Sequence, residues 1–447
     1  MNTETPNWGI EPVPERLRVL GGLDTGLLWG NLGVSLLVLV AAAFLVPALS
    51  LPQALVAIVV GALIGNLMLA AAGGIGADAR VPAMVLMRAP LGQRGSYLPT
   101  ALNVAQCLGW AVFELIIIAA AAGALTDELF GFQGRALWTI FFGVAACALA
   151  LLGPVGFVRR FVRKFALWAV LASLLYLTWW AIDSPDVSAM WHAKGEGGSS
   201  VVQGIDLVVA ITVTWIPLAA DYTRFTRDRA TAFLGTFVGY LIPSLWMFGL
   251  GALLVLGHDL TDPVQVPAAV AAAGAASALA LLAVTVDETD EAFANTYSAA
   301  VSLQNVLPGV PQRVLIVVAS AIATAGALTV ELRNYQAFLL MLGSFFVPLF
   351  GVLLADWLLA GRRYTTRDIF HGPAFRPEQI AAWLVGFALY QWLLPTGPSW
   401  WVDLVDRADA GRLEIGATLP SFLVSFVLAV GLGALVGRHA PVQARAG

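Results

Sequence analysis

Leu28-Trp29-Gly30-Asn31-Leu32-Gly33-Val34-Ser35 stands in the middle of an apolar run that extends from about residue 20 to about residue 46. Two glycines and an amide occupy the depth at which a plain membrane anchor would carry leucine. A lipid-exposed break of this kind is prohibitively costly, because each unpaired backbone group in hydrocarbon costs several kcal/mol. The interruption therefore marks a cavity inside a protein. A second one falls in the run 203–221, where Thr212, Thr214, Trp215 and Pro217 crowd the centre and Pro217 removes a backbone donor. Each break alone has a plainer reading, close helix packing at Gly30 and Gly33 and a simple kink at Pro217. As a matched pair five spans apart they point to an inverted-repeat secondary transporter with its site near the bilayer midplane.

The composition agrees. Hydrophobic residues make up 59% of the 447 and charged residues 12%, about half the charged share of a soluble domain, so a water-soluble globule is excluded. The 44 Gly and 23 Pro suit membrane helices better than soluble ones, and the mean hydropathy of +0.82 leaves no room for a large extramembrane domain. The net charge of -4 suggests neither nucleic acid nor a basic surface arm as partner.

About 20 apolar residues cross a bilayer. Twelve such stretches can be read, at approximately 20–46, 52–73, 98–125, 135–153, 164–182, 203–221, 231–256, 266–303, 313–331, 335–360, 379–395 and 416–437. All are too long for barrel strands. The expected fold is an all-α polytopic membrane protein with twelve transmembrane helices. With both termini cytoplasmic, all Lys and Arg fall inside except Arg135, Lys194, Arg333, Arg407 and Arg412, as the positive-inside rule asks. The inside set includes Arg80, Arg88, Arg94, Arg159, Arg160, Arg163, Lys164, Arg224, Arg227, Arg229, Arg362, Arg363 and Arg367. The expected organisation is an N-terminal segment 1–19, a first five-helix repeat 20–182, a second 203–360, two further helices within 361–437 and a tail 438–447. Residues 1–19 lack a basic region and a cleavage site, so no signal peptide is expected. Cys107 and Cys147 lie in apolar runs and read as structural thiols, with zinc out of reach.

Two spans carry the chemistry. In the third, Asn103, Gln106, Trp110 and Glu114 follow at spacings of three and four and share one face. An acid near the centre of a span costs at least about 2.5 kcal/mol and by default suggests function. Trp110 offers a flat ring one turn from the Glu114 carboxylate, a pair suited to a planar heteroaromatic ligand with a donor edge. Asn103 and Gln106 read better as interhelical hydrogen-bond formers. In the eighth span, Asp287-Glu288-Thr289-Asp290-Glu291 interrupts small and apolar sequence. On a helical wheel Asp287 and Glu291 are about 40° apart, with Asp290 about 60° to the other side and Glu288 about 100° round. Four carboxylates so close in a low dielectric require protons or a cation. A loop between two shorter spans is the alternative for this stretch. Asp206, His258, Asp259 and Asp262 read as solvated boundary residues without a role, and nothing resembles a nucleophile triad, a phosphate loop or a histidine metal cluster.

Several stretches resemble the nucleobase:cation symporter-1 family. They are Ile64-Gly65-Asn66 with Gly74-Ile75-Gly76-Ala77, the run from Arg88 to Pro99, Gly109-Trp110, Asp221-Tyr222-Thr223-Arg224-Phe225, and the run from Pro348 to Trp357. The likeness is strongest to cytosine permeases and to hydroxymethylpyrimidine transporters found with thiamin genes. It implies a 5+5 inverted repeat of the leucine-transporter type, two extra C-terminal helices, and uptake of a flat base coupled to a cation. By the same resemblance Trp110 stacks on the substrate, Glu114 bonds its edge, Trp215 is a second aromatic, and Glu291 stands in place of an eighth-helix amide. Thr212 and Asn31, at the two breaks, join the expected substrate set. Gly30 and Gly33 would offer backbone carbonyls to a cation beside Asp287 and Glu288, where sodium-coupled relatives carry hydroxyls. The coupling ion is thus sodium or proton, with sodium the metal such a site would take and no other cofactor expected.

The function expected is secondary-active import of a pyrimidine-like base, hydroxymethylpyrimidine or cytosine, because acids at 114 and 291 favour a donor-rich ligand. A purine, allantoin or hydantoin symporter is the alternative and a channel a distant one; an enzyme is not expected. The expected partners are the small heteroaromatic substrate and membrane lipid, with no nucleic acid and no obligate protein. An arginine-rich, alanine-rich chain suggests a bacterial inner membrane.

Overall fold

Ser50 caps a long helix with its hydroxyl on the Gln53 N–H while Gln53 reaches back to the Ser50 N–H, and Ser200 with Gln203 does the same further along. Such local signals open and close the helices of the computed structural model, which describes residues 9–157, 167–183, 186–258, 260, 265–330, 335–407, 411, 413 and 415–436. Apart from an isolated bridge between Leu20 and Thr226, no strand occurs among the described residues.

Helices occupy all twelve expected stretches. In chain order they are α1 (Gly22–Asn31 and Leu36–Ala41, running into a 3-10 turn at Ala42–Phe44), α2 (Leu51–Ala79), α3 (Tyr97–Phe130), α4 (Arg135–Phe157), α5 (Leu167–Asp183) and α6 (Val201–Val213 and Ile216–Thr223). Then follow α7 (Arg229–Gly257), α8 (Gln265–Ala272, Ala275–Asp287 and Thr289–Leu303), α9 (Gln312–Ala327), α10 (Tyr335–Leu359), α11 (Pro377–Leu393) and α12 (Thr418–Leu435). Seven are long and apolar enough to cross a bilayer singly, and the bent α1 makes an eighth. The shortfall of four has physical causes: α5 and α9 are apolar but short, α11 has only 17 residues, and α8 is divided and carries its acids in the middle. The basic run Arg159, Arg160, Arg163 and Lys164, together with Asp259, Asp262, Arg333, Arg412 and the tail 438–447, lies outside the described residues.

α2 packs on α6 and α7, α1 on α7, α3 on α8, and α4 on α8 and α9, while α12 packs on α10 and α11. Glycine lets the inner helices approach. A Cβ on Gly65 would stand 2.8 Å from Thr212 Cβ, and one on Gly33 2.6 Å from Pro243 Cγ. Exposed apolar stripes such as Leu234, Val238 and Ile242 of α7, or Leu419, Leu423 and Val427 of α12, repeat at about one turn and are the surfaces that meet lipid.

Two boundary expectations change. Asp206 is buried, and its carboxylate accepts the N–H groups of Ala417 (2.5 Å) and Thr418 (3.3 Å). It therefore fixes the start of α12 to α6 rather than facing solvent. His258 stacks on Trp180, with centroids 4.6 Å apart and planes at 21°.

Candidate functional site

Both breaks are built by local chemistry. After Asn31 the chain leaves the helix, Ser35 is extended, and its hydroxyl accepts from the Leu37 and Val38 N–H groups to start the second half of α1, bent by 54° from the first. In α6 the helix stops at Val213 and restarts at Ile216. Pro217 falls in the first turn of the new half, where its missing N–H has no partner to lose. The proline thus begins a helix instead of kinking one. α3 bonds to the chain at this break: Gln106 Nε2 donates to Thr214 O at 2.7 Å, while Asn103 Nδ2 donates to Pro217 O in the restarted helix at 3.4 Å and to Ser302 Oγ of α8 at 2.9 Å. Asn103 and Gln106 are the interhelical bonds the sequence suggests.

Between the breaks lies a small cavity of about 20 Å³, narrow as the side chains stand. Its aromatic lining is Trp110 of α3, Trp215 at the α6 break and Tyr240 of α7; its polar lining is Ser35, Glu114, Thr214, Glu291 and Asn295, with Leu37, Val38, Ile211 and Leu218 between them. Trp29 braces the aromatics from behind, meeting Trp215 edge-on at 6.0 Å and Tyr240 at 6.2 Å, while Phe338 meets Trp110 at 5.8 Å. The rings are held in place by one another before any ligand enters.

The acids of α8 divide among three tasks. Asn31 Nδ2 donates to Asp287 Oδ1 (3.1 Å) and Asp290 Oδ2 (2.6 Å), joining α8 to the first half of α1. Glu288, at the junction of two α8 segments, accepts the Leu36 N–H (2.7 Å) and the Ser35 hydroxyl (3.1 Å) and so joins α8 to the second half. Glu291 lines the cavity together with Trp110 and Trp215. One carboxylate oxygen from each of Glu114, Glu288 and Glu291 lies within 4.8 Å of the others. No described residue donates a hydrogen bond to either oxygen of Glu114. None of Glu114, Asp287, Glu288, Asp290 and Glu291 is more than 4% exposed, and none pairs with a Lys or Arg among the described residues. So close a set of carboxylates calls for protons, a metal ion or a donor-rich ligand.

Of the residues singled out in the sequence, Trp110, Glu114, Trp215 and Glu291 line the cavity. Thr212 does not: it faces Gly65 of α2 and returns its hydroxyl to Val208 O at 3.4 Å, and Thr214 takes the place at the cavity wall. Asn31 is spent on Asp287 and Asp290 and lies outside the lining. Gly30 and Gly33 face Gly239 and Pro243 of α7, so close packing, the plainer reading, describes their α carbons. Ser35, Tyr240 and Asn295 were not singled out as site residues. Asn295 had a signal, standing one turn after Glu291 on the same face, and it adds an amide to the cavity wall.

Comparison with known proteins agrees with this architecture. The family profile described as "Permease for cytosine/purines, uracil, thiamine, allantoin" matches residues 12–408. The hydantoin permease of Microbacterium maritypicum is 24% identical over 382 residues, 79% of this chain and 77% of that protein. The cytosine permease of Escherichia coli K12 is 25% identical over 352 residues, 74% of this chain and 77% of the permease. Among solved structures, Mhp1, a nucleobase-cation-symport-1 family transporter in a closed conformation with bromovinylhydantoin bound, superposes with a TM-score of 0.80 at 19% identity, covering 100% of this chain and 98% of Mhp1. That likeness shows a shared fold.

Proposed function

Because the chain belongs to the family of permeases for cytosine, purines, uracil, thiamine and allantoin, we propose that it is a secondary-active importer of a donor-rich aminopyrimidine, with hydroxymethylpyrimidine and cytosine the leading substrates. The single observation behind this choice is that the cavity sets the Glu114 and Glu291 carboxylates beside Trp110 and Trp215. A flat ring stacks on indole, and carboxylates accept from its amino and ring N–H groups but repel carbonyl oxygens. Uracil and hydantoin present carbonyls where an aminopyrimidine presents donors.

We further propose a proton as the coupling ion. Glu288 accepts hydrogen bonds from Leu36 and Ser35 at the start of the second half of α1 and stands close to Glu114 and Glu291. A proton held among these three carboxyls relieves their repulsion, and its movement links the cavity to the α1–α8 contact. Coupling follows when proton and substrate together favour one state over the other more than either alone. Sodium is the second reading, supported by the convergence of three glutamate oxygens within 4.8 Å. The reading also places both termini on the cytoplasmic side of a bacterial inner membrane.

The test is thermal stabilisation of purified protein by pyrimidines and purines, with and without sodium, across pH, followed by uptake into vesicles. Stabilisation by cytosine or hydroxymethylpyrimidine, with uptake driven by an inward proton gradient, supports the proposal. Preference for uracil, hydantoin or allantoin overturns the substrate, and uptake that needs sodium at every pH overturns the proton.

A further inference from the structure

At the face of the molecule where α2 and α10 end and α7 begins, an open hollow of about 430 Å³ is walled by Arg18, Arg80, Arg229, Arg362 and Arg363, with Asp78 and Gly361. Two carboxylates answer these five guanidinium groups. Glu15 pairs with Arg80 (2.5 Å) and Arg18 (3.2 Å), and Asp78 with Arg229 (3.2 Å). Arg18 spends its remaining donors on Thr226 O and Ala77 O. The side chains of Arg362 and Arg363 form no hydrogen bond or ion pair among the described residues, so the wall keeps a surplus of three positive charges.

The backbone works to bring these charges together. Among the described residues, Arg80 and Arg362 are the non-glycine positions with positive φ, both at 63°. Each ends a helix: the Arg80 N–H bonds Gly76 O and the Arg362 N–H bonds Trp357 O. A left-handed conformation costs a side-chain-bearing residue about 1–2 kcal/mol, and glycine is the usual occupant of such a cap. Retaining arginine there, twice, in one hollow, is a local cost that points to a use for the side chains. Attraction of a cation to a helix C-terminus accounts for one guanidinium at each helix end, not for five around a common space.

The surroundings are interfacial. Arg229 lies over the Trp357 ring at 5.4 Å, and the next residue, Leu358, is exposed on the apolar surface of α10. Tryptophan beside clustered arginine at helix ends marks the headgroup level, and basic pockets between membrane helices bind anionic headgroups. Guanidinium forks match phosphate oxygens two at a time.

We propose that this hollow binds a phosphate-bearing anion, which either a phospholipid headgroup or free inorganic phosphate can supply. Once bound, the anion bridges the ends of α2 and α7 to the end of α10 and stabilises the arrangement of the helices described here. The test compares wild type with Arg362→Gln/Arg363→Gln in detergent. Melting temperature is measured with added phosphatidylglycerol or phosphatidylcholine, and separately with sodium phosphate or sodium chloride at equal ionic strength. The wild type is expected to melt higher with phosphatidylglycerol than with phosphatidylcholine, and the double variant to lose more than half of that rise. Arg363→Gln alone, outside the left-handed turn, serves if the double variant does not fold, with a smaller loss expected. A rise with phosphatidylglycerol and none with phosphate assigns the site to a headgroup; an equal rise with phosphate assigns it to the free anion. Equal rises in wild type and variants, or no rise with either anion, overturn the proposal.

Discussion

The Glu288 carboxylate of α8 accepts the Leu36 N–H at 2.7 Å, directly across the break in α1. Asn31, on the other side of the same break, holds Asp287 and Asp290. α8 is therefore bonded to both halves of α1, and any rocking of one half against the other must break one of these sets. A hydrogen bond to a charged group contributes about 1.5–3 kcal/mol. Glu288→Ala is expected to lower the melting temperature clearly, and Glu288→Gln, which keeps an acceptor for Leu36, to lower it less while uncoupling uptake from the proton gradient. Gradient-driven uptake by Glu288→Gln at wild-type levels would contradict the coupling role.

Trp110 and Glu114 stand one turn apart on α3 and meet different parts of a flat ligand. Stacking of a base on an aromatic ring is worth about 1–3 kcal/mol, so Trp110→Ala is expected to weaken binding of any accepted base by roughly 5- to 150-fold. Glu114→Gln acts on selectivity, because an amide both donates and accepts. It should lose affinity for aminopyrimidines and gain it for uracil or hydantoin. Arg94→Ala, exposed on the surface, should match wild type in the same thermal-shift assay. If Glu114→Gln leaves the order of ligands unaltered, the carboxylate does not read the substrate edge.

Thr212 and Gly65 form a packing contact between α6 and α2, with an added Cβ on Gly65 only 2.8 Å from Thr212 Cβ. Thr212→Val keeps the volume and removes the hydroxyl, so ligand binding should stay within experimental error. Gly65→Val should instead force the two helices apart and cost about 1–3 kcal/mol, read as a lower melting temperature. A binding loss in Thr212→Val without a stability loss would return this threonine to the cavity.

Asp228 caps α7, and its carboxylate is held below its usual range first by the Thr231 N–H and then by the Thr231 hydroxyl. A depressed carboxylate stabilises the folded state above its unfolded value, near pH 4, and the contribution fades as pH falls through the lower folded value. Asp228→Ala should thus cost about 1 kcal/mol near neutrality, with the gap between variant and wild type closing as the solution is acidified. A gap that stays constant between neutral and acid pH would show that the charge is not involved.

What the sequence revealed and what it hid follow from the same physics. Breaks at Gly30–Gly33 and Thr214–Pro217, and acids within α8, are legible because hydrocarbon makes each improbable without a purpose. Which side of a helix such a residue faces is settled by its neighbours in space. Thr212 and Thr214 are two residues apart, and the arrest of α6 at Val213 turns the second into the cavity while Gly65 receives the first. Asp206 looked solvated because it stands near a helix start; the N–H groups that bury it belong to Ala417 and Thr418, more than 200 residues away. Tyr240 reaches the cavity because glycines let α1 and α7 approach closely, a distance no single helix encodes.

Gln106 supplies the sharpest separation of architecture from recognition. It lines no part of the cavity, yet its Nε2 donates to Thr214 O at 2.7 Å and thereby holds the chain at the point where α6 is broken. Trp215 follows immediately, so the position of its ring depends on that bond. Gln106→Leu removes the donor and leaves a buried carbonyl unsatisfied, a loss of about 1–3 kcal/mol. Gln106→Glu removes it too and, when ionised, adds repulsion toward Thr214 O. Both variants are expected to melt lower and to bind substrate more weakly than wild type, and the weakening should shrink in a Trp215→Ala background, where there is no ring left to misplace. Coupling of this kind between contacting residues is measured by a double-mutant cycle. Strict additivity of Gln106→Leu and Trp215→Ala in binding would mean that α3 stabilises the break without positioning the second aromatic wall.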